Sequence, residues 1–274
     1  MAYNVLIIKL SALGDVIMAS SMIKALRKEH KNVYITWYCG KEVVELVKLF
    51  EGVDEIICVD NSLLAGSFTK KVSFVFDAWE ILKDRQFDLV LVAHSDARYN
   101  ILTLGLKNTR RRSFADVRAP IHGRYHGTEY ARLALGYDSS IEERYPLADL
   151  KIKPKVGYDD MVLLLAGGAK NFMNDDAIRR WPVENYIELA RLIKSEGYRI
   201  GLIGSKGDLW TEDVFNESGI SYESFVGKTD VKGLVELIAG AKAMVTHDTG
   251  PRHIADLTGT FSIGIFGPVR ARER

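Results

Sequence analysis

Two short segments of the chain place polar residues directly after an apolar run, which is where ligand-binding residues stand in α/β proteins. In the first segment, Ser11, Gly14 and Asp15 follow the run 4–10, NVLIIKL, and Gly14 would allow a sharp turn. Asp15 could act as a general base that removes a proton from a hydroxyl group. It could instead cap the next helix, because aspartate accepts backbone N–H groups and suits the helix dipole. The spacing leaves both roles open.

The second segment is Thr246–His253, THDTGPRH. Pro251 is typical of the first turn of a helix, so the backbone N–H groups near Thr249 and Gly250 would point at a ligand. That arrangement predicts an anion site. The alternative is a capped helix start in which His253 packs in the interior and is hydrogen-bonded.

Arginines could supply the cations that an anionic substrate needs. Arg179 and Arg180 precede a Trp-Pro pair and could hold a diphosphate through charge-assisted hydrogen bonds. Arg180 could instead be a surface charge, with Trp181 stapling the helix entry. A basic stretch carries eight cations against two acidic residues: Arg98, Lys107, Arg110, Arg111, Arg112, Arg118, Arg124 and Arg132. It is either a solvated surface or a pocket for an anionic acceptor or a phosphorylated lipid head group.

Composition and motifs exclude several classes of protein. The 274 residues carry a net charge of +1, and aromatic residues are sparse in the basic stretch, so nucleic-acid binding is not predicted. Neither half has a G-x-G-x-x-G turn after its first strand, and a Walker loop is absent, so no cofactor is expected. His122 and His126 are spaced i, i+4, but no carboxylate completes a zinc signature, so no metal site is predicted.

Apolar runs that alternate with helical patterns indicate βαβ units and mainly parallel sheets. The predicted strands are Asn4–Leu10, Val33–Cys39, Glu55–Asp60, Asp88–His94, Met161–Ala166, Arg199–Ser205, Ala243–Asp248 and Phe261–Phe266. The predicted helices are Val16–His30, Lys41–Phe50, Lys70–Arg85, Val183–Glu196 and Pro251–Leu257. A polar segment, Tyr137–Asp160, interrupts the alternation and predicts two Rossmann-like domains at 1–150 and 151–274.

The cysteines and the apolar runs indicate the compartment. Cys39 and Cys58 lie in predicted strands, and two buried thiols favour a reducing environment. The longest apolar stretch, 161–169, is too short to span a bilayer. We therefore expect a cytoplasmic protein.

Three stretches, in this order along the chain, resemble one family. They are VLIIKLSALGDVIMASSMIKAL, RRWPVENYIELARLIKSEGYRIGLIGS and HDTGPRHIADLTGTFSIGIFGP. They are similar to the ADP-heptose:lipopolysaccharide heptosyltransferases of glycosyltransferase family 9. The resemblance implies an α/β fold of GT-B type, in which two Rossmann-like domains with mainly parallel sheets face a cleft. It also implies inverting, metal-independent transfer of a sugar from ADP-heptose to a lipopolysaccharide-type saccharide.

The resemblance also implies roles for individual residues. Asp15 falls on the family's base, and Arg179 on a cation that approaches the donor phosphates. The donor-binding set that it implies is Gly167, Gly168, Arg179, Asp248, Thr249, Gly250 and His253. The acceptor-binding residues that we predict in the first domain are Ser11, Gly14, Arg98 and Arg124. The acceptor would be an anionic or lipid-linked saccharide, which would bring the protein to the inner face of the cytoplasmic membrane.

Some positions depart from the family pattern. Arg252 stands where an apolar residue is usual, Asp256 where alanine is common, and Phe261 where proline is expected. The chain ends at Arg274, so we expect a C-terminally short second domain. Two other functions stay open at this point. One is a GT-B-fold sugar-nucleotide epimerase, and the other is a non-catalytic nucleotide-sugar binding protein.

Overall fold

The computed structural model describes residues 2–106, 109–116, 123–137, 144–168, 179–267 and 271. In this part the chain divides into two compact units, one ending at Lys151 and the other running from Ile152 to Ala271. Each unit is built on a five-stranded sheet in which all neighbouring strands pair in parallel. The predicted α/β class with parallel sheets is confirmed.

The first unit has its earliest strand at the centre of the sheet. Its strands are β1 (Tyr3–Ile8), β2 (Val33–Gly40), β3 (Glu55–Val59), β4 (Leu89–Val92) and β5 (Arg110–Ser113), in the order β3-β2-β1-β4-β5. Its helices are α1 (Leu13–Ala19), α2 (Ser21–Glu29), α3 (Val44–Val47), α4 (Phe68–Leu82) and α5 (His126–Ala134). The side chains of residues 5–8 are fully buried, as in a parallel strand that is covered on both faces.

The second unit repeats this plan. Its strands are β6 (Met161–Leu165), β7 (Arg199–Leu202), β8 (Glu223–Ser224), β9 (Ala243–His247) and β10 (Ser262–Ile265), in the order β10-β9-β6-β7-β8. Its helices are α6 (Val183–Ser195), α7 (Trp210–Glu217), α8 (Val231–Gly240) and α9 (Gly250–Thr258). Tyr186 of α6 and Phe215 of α7 are fully buried in a core with the apolar side chains of β6, β7 and β9.

All eight predicted strands are present, but the edge strands β5 and β8 were not predicted. β5 is Arg-Arg-Arg-Ser and β8 has two residues, so neither shows an apolar pattern. The helices α5, α7 and α8 were not predicted either. The expected single helix Val16–His30 is wrong, because α1 and α2 are separated at Ser20, whose hydroxyl accepts the N–H of Ala148.

The expectation that both cysteines are buried is also wrong. Cys39 is buried in β2, whereas Cys58, its neighbour across the pair, is exposed. The reason is that β3 is an edge strand and has no further strand beside it. Burial raises the pKa of the Cys39 thiol to about 12.

Candidate functional site

Each sheet reverses its strand order beside its central strand, and ligands of open α/β sheets bind at the carboxyl ends of the strands at such a point. In the first unit the reversal lies between β1 and β4, which are followed by residues 9–12 and 93–96. In the second unit it lies between β6 and β9, which are followed by residues 166–168 and 248–249. The predicted residues near Asp15 and Asp248 therefore stand at the two reversals.

Asp15 is a partly exposed carboxylate in the first turn of α1. The N-cap position is occupied by Ala12, so the interpretation of Asp15 as the helix cap is wrong. The reason is that α1 begins at Leu13, which puts Asp15 at its third residue. Lys9 Nζ lies 3.2 Å from Asp15 Oδ2, and 37% of the Asp15 side chain is exposed against 4% for Lys9. The carboxylate can therefore reach a ligand while it faces a buried ammonium.

Lys9 is a buried cation at the end of β1. Burial by itself lowers the pKa of Lys9, but Tyr130 and Asp15 outweigh this effect and hold the pKa above its ordinary value. The ammonium nitrogen lies 5.5 Å from the centre of the Tyr130 ring. Lys9 is thus charged at neutral pH and presents a fixed positive charge to Asp15.

His94 holds the loop between β1 and α1 from the neighbouring strand. Its Nε2 accepts the N–H of Leu10 at 3.0 Å, and its ring stacks on Tyr99 with the centroids 3.8 Å apart. Burial, assisted by the charge of Lys9, lowers the pKa of His94 to about 2. A neutral imidazole therefore positions the segment that leads to Asp15.

The predicted acceptor-binding residues fall on separate elements. Gly14 is the second residue of α1 and has no positive φ, so the turn lies before it, near the half-buried Ser11. Arg98 lies in the 3-10 helix Ala97–Thr103 and pairs with Asp96. Arg124 comes just before α5, which packs against α1 and α2. Ser11 and Gly14 thus lie in the segment that leads into the first turn of α1 with Asp15, whereas Arg98 and Arg124 do not.

Other cations of the basic stretch serve as structural partners. Arg112 donates hydrogen bonds to the carbonyl oxygens of Leu133 and Ala134 at the C-terminus of α5. Arg132 Nη1 lies 2.6 Å from Glu129 Oε2 in a buried pair. Arg118, Lys107 and His122 lie outside the described residues.

The loop after β6 is ordered by a buried carboxylate. Asp208 Oδ1 accepts the N–H of Gly168 at 2.6 Å, and Oδ2 accepts the N–H and the hydroxyl of Ser205 at 2.8 and 2.7 Å. A Cβ atom on Gly167 would lie 2.5 Å from Asp208 Oδ1, and Gly168 has a φ of +85°. Both positions therefore require glycine, and the bare backbone lets a ligand come close.

Two arginines connect this loop with the loop after β9. Arg179 Nη2 donates to the carbonyl oxygen of Asp248 at 2.8 Å and also to its carboxylate. Arg180 Nε donates to the carbonyl oxygen of Gly168 at 2.7 Å. Asp248 is buried, and a quarter of the Arg179 side chain is exposed. The adjoining residues 169–178 lie outside the described part of the chain.

Helix α9 begins at Gly250, one residue before the predicted start at Pro251. Thr249 is the N-cap residue and Pro251 lies in the first turn. In the part of the chain that the structure describes, the N–H groups of Thr249 and Gly250 donate no hydrogen bond. His253 is buried, with its Nδ1 3.3 Å from Arg252 Nη2. The helix start therefore keeps donors that an anion can use.

His247 is a fully buried imidazole beneath the glycine loop. Its Nδ1 lies 3.3 Å from the hydroxyl of Tyr186, and its Nε2 lies 3.8 Å from where a Cβ atom of Gly168 would stand. Burial, with the charges of Arg180 and Arg179, lowers the pKa of His247 to about 4. The ring is therefore neutral at pH 7 and adds no charge beneath the loop.

Two departures from the family pattern form a pair. Arg252 and Asp256 are one turn apart on α9, with Arg252 Nη1 3.3 Å from Asp256 Oδ2. Both side chains are largely buried, and the guanidinium lies 5.5 Å from the centre of the Phe266 ring. The positive charge of Arg252 and the negative charge of Asp256 thus compensate each other.

Sequence reasoning did not assign roles to Lys9, Asp208 or His247. Asp208 could have been found, because Ser205-Lys-Gly-Asp208 has the spacing of a capping box, which the structure forms. Lys9 carried a weaker signal as a cation inside an apolar run. His247 carried none, because its position beneath the glycine loop depends on the pairing of β6 with β9.

Among the described residues, no group of three or more His, Cys, Asp or Glu side chains is placed to hold a metal ion. None of their helices is long and apolar enough to cross a bilayer.

Comparisons with known proteins identify the family. The model of glycosyltransferase family 9 (heptosyltransferase) matches residues 130–273, just over half of the chain. The lipopolysaccharide core heptosyltransferase OpsX of Haemophilus influenzae is 24% identical over 95% of this chain and 78% of its own length.

Solved structures agree with this family in fold. A family 9 glycosyltransferase from Veillonella parvula has a TM-score of 0.82 at 20% identity, over 99% of this chain and 82% of that one. The E. coli heptosyltransferase WaaC with ADP-2-deoxy-2-fluoro heptose has a TM-score of 0.78 at 20% identity, over 97% of this chain and 90% of that one. The predicted GT-B class of fold is thereby confirmed. The chain belongs to glycosyltransferase family 9, the heptosyltransferase family, and is a glycosyltransferase.

Proposed function

We propose that the chain transfers heptose from ADP-heptose to a lipopolysaccharide-type saccharide, with inversion at the anomeric carbon and without a metal ion. The observation that carries the proposal is the convergence of Arg179, Asp248 and the Gly167–Gly168 loop at the strand reversal of the second sheet. Cationic and backbone donors gathered there suit a diphosphate. The name of the WaaC complex, which contains an ADP-heptose analogue, supports this choice of donor.

The donor would bind to the second unit through its diphosphate. Arg179 is held in place by Asp248, so its guanidinium is oriented before a ligand arrives. The N–H groups of Thr249 and Gly250 would add two neutral donors at the start of α9. Donors that are fixed in advance stabilise the charge that develops on a leaving group.

Asp15 would activate the acceptor on the first unit. Its carboxylate takes the proton of the acceptor hydroxyl while the oxygen forms a bond to the anomeric carbon. The bond from that carbon to the phosphate oxygen breaks on the opposite face, and ADP leaves with the electron pair. Lys9 Nζ lies 3.2 Å from the Asp15 carboxylate and holds this side chain in place for the acceptor.

The relatives support the acceptor and the cellular location that we propose. OpsX is named for the lipopolysaccharide core, whose heptose acceptor we take to be an anionic, lipid-linked saccharide. Such an acceptor would bring a cytoplasmic enzyme to the inner face of the membrane. Arg98 and Arg124 stay our predicted contacts for its acidic groups.

Calorimetric titration with ADP and then UDP tests the donor site. We expect ADP to bind more tightly and Arg179→Ala to weaken that binding. Thr249→Val should weaken it too, because it removes the hydroxyl that donates to the carbonyl oxygen of His247 and holds the backbone at the start of α9. Arg191→Ala is the matched control, because Arg191 is a partly exposed arginine of α6 that pairs only with the exposed Glu188 among the described residues. Tighter binding of UDP would contradict the assignment of ADP-heptose as donor. If neither nucleotide bound, the donor site itself would be wrong.

A transfer assay tests the catalytic assignment. Incubation with ADP-heptose and a heptose-free lipopolysaccharide core should release ADP and give a product whose anomeric configuration, measured by NMR, is opposite to that of the donor. EDTA should leave the rate unchanged. Asp15→Asn should abolish transfer and keep ADP binding, whereas Asp84→Asn, at an exposed aspartate of the first unit, should change neither transfer nor ADP binding. If Asp15→Asn transferred heptose at the wild-type rate, the assignment of Asp15 as the base would be wrong.

A further inference from the structure

Helix α4 has two apolar faces, and only one of them packs into the core of the first unit. The core-facing side chains are Phe74, Ala78 and Leu82. Phe68, Val72, Phe76 and Trp79 follow one another at helical spacing on a second face, about a third of a turn away. A surface helix needs one apolar face for its core, so the second face calls for another explanation.

This second face borders a cavity of about 830 Å³ on the first unit. The opposite wall is the 3-10 helix Ala97–Thr103, which is joined to α4 by a 2.7 Å hydrogen bond from Trp79 Nε1 to the carbonyl oxygen of Ile101. Phe68, Phe76 and Leu104 stand at the cavity with 80%, 60% and 64% of their surface exposed. Clustered exposed apolar side chains of this size mark an interaction surface.

The cavity is also lined by positive charge. Its described lining includes Lys71, Arg98 and Arg111, against a single carboxylate, Asp96, that pairs with Arg98. Asp77 and Glu80 of α4 do not line it. We call these cations and the exposed apolar residues Phe68, Phe76 and Leu104 the α4 surface. Protruding aromatic and aliphatic side chains beside cations suit the interface of a bilayer that contains anionic lipids.

We propose that the α4 surface docks the protein on an anionic phospholipid bilayer. Phe68, Phe76 and Leu104 enter the head-group region, while Lys71 and Arg111 lie against lipid phosphates. The proposed function supplies the reason for docking, since a lipid-linked acceptor lies in the membrane. The physical basis is separate from it, because Arg98, a predicted acceptor contact, is the one residue of the α4 surface that we also assign to donor binding, acceptor binding or proton transfer.

Co-sedimentation of the full chain with vesicles tests this docking. We expect binding to phosphatidylglycerol–phosphatidylethanolamine vesicles, weaker binding as salt is raised, and little binding to phosphatidylcholine vesicles. Phe68→Ser and Phe76→Ser should each weaken the partition about tenfold, the order expected for one aromatic side chain leaving an apolar environment. Lys71→Gln and Arg111→Gln should each weaken it about fivefold. Leu192→Ser, at a 65% exposed leucine of α6 in the second unit, is the control and should change nothing.

Several results would overturn the proposal. One is equal partition of the wild type and the Phe68→Ser/Phe76→Ser variant, and another is equal binding to neutral and anionic vesicles. A dimer of the wild type that this variant converts to a monomer, without loss of vesicle binding, would assign the α4 surface to a second copy of the chain. Leu104→Ser gives an independent variant if the double substitution reduces folding, which circular dichroism detects. Transfer of heptose to a soluble acceptor fragment is measured in parallel, because this assay needs no membrane. Failure of the proposed function is therefore distinguished from failure of the docking proposal.

Discussion

The pair formed by Arg252 and Asp256 makes a sharp prediction, because each residue alone looks like a damaging departure from the family pattern. The perturbation is to remove either partner or both. Arg252→Leu and Asp256→Ala each restore the kind of residue that is usual at that position, and the double variant restores both. If the two residues depend on each other, each single variant should be worse than the double variant.

The magnitude follows from the burial of the pair. The side chains are 8% and 14% exposed, and the charged groups are 3.3 Å apart. Removal of one partner from a buried ion pair costs about 3–5 kcal/mol, because the other charge is left without compensation. Asp256 has further contacts, so we place Arg252→Leu near the lower value, about 3 kcal/mol. Replacement of both partners by apolar residues is expected to change the free energy of unfolding by about 1 kcal/mol or less.

The assay is urea unfolding followed by circular dichroism, with amide hydrogen exchange across α9 to locate the effect. Each single variant should lower the free energy of unfolding and speed exchange in α9. The double variant should recover most of both losses. ADP titration of the folded variants shows whether His253, whose Nδ1 lies 3.3 Å from Arg252 Nη2, is displaced as well.

The reasoning would be refuted by additive effects. If the double variant loses the sum of the two single losses, then Arg252 and Asp256 stabilise α9 independently. Single losses below about 0.5 kcal/mol, the range of ordinary surface substitutions, would equally show that the pair is not a buried ion pair in solution.

Three further predictions concern other parts of the two units. The unfolded chain protonates His94 near pH 6.5 and the folded chain only near pH 2, so the free energy of unfolding should fall as the pH drops through that window. The fall should reach up to about 1.4 kcal/mol per pH unit, and His94→Gln should make it less steep when unfolding is measured across acid pH. Gly167→Ala should cost about 1–3 kcal/mol and weaken ADP binding, because the new methyl group overlaps Asp208, and unchanged ADP affinity in calorimetry would contradict this role of the loop. Ellman's reagent should label Cys58 in the folded protein and Cys39 only after unfolding, and two equivalents in the native state would show that β2 is accessible.

The sequence was sufficient for the strongly patterned elements. The apolar runs at β1, β4, β6 and β9 predict buried parallel strands, because a strand covered on both faces has few polar positions. The polar residues that follow them were therefore placed at the carboxyl edges of the two sheets. The segment at 246–253 predicted a helix that begins at Pro251, one residue after the observed start at Gly250, because the φ of proline is already suited to the first turn.

The local sequence pattern did not predict the parts of the structure that are only partly buried. β5 has no apolar residue, yet it pairs along β4, and the cations within it and after it have different partners. The basic stretch therefore looks uniform in sequence, but in the structure its cations bind to different partners. Cys58 has an apolar neighbourhood in sequence, but the position of β3 at the sheet edge leaves it exposed.

The sequence by itself determined the class of fold, the two strand-end segments and the family, because hydrophobic period and short motifs are local properties. Only the tertiary structure decided the partners of the site residues. Lys9 meets Asp15, Asp208 orders Gly168, and Arg179 meets Asp248. The last two contacts join residues 40 and 69 positions apart. Such contacts depend on strand order and on where each helix begins, and those are set by how the whole chain buries its apolar surface.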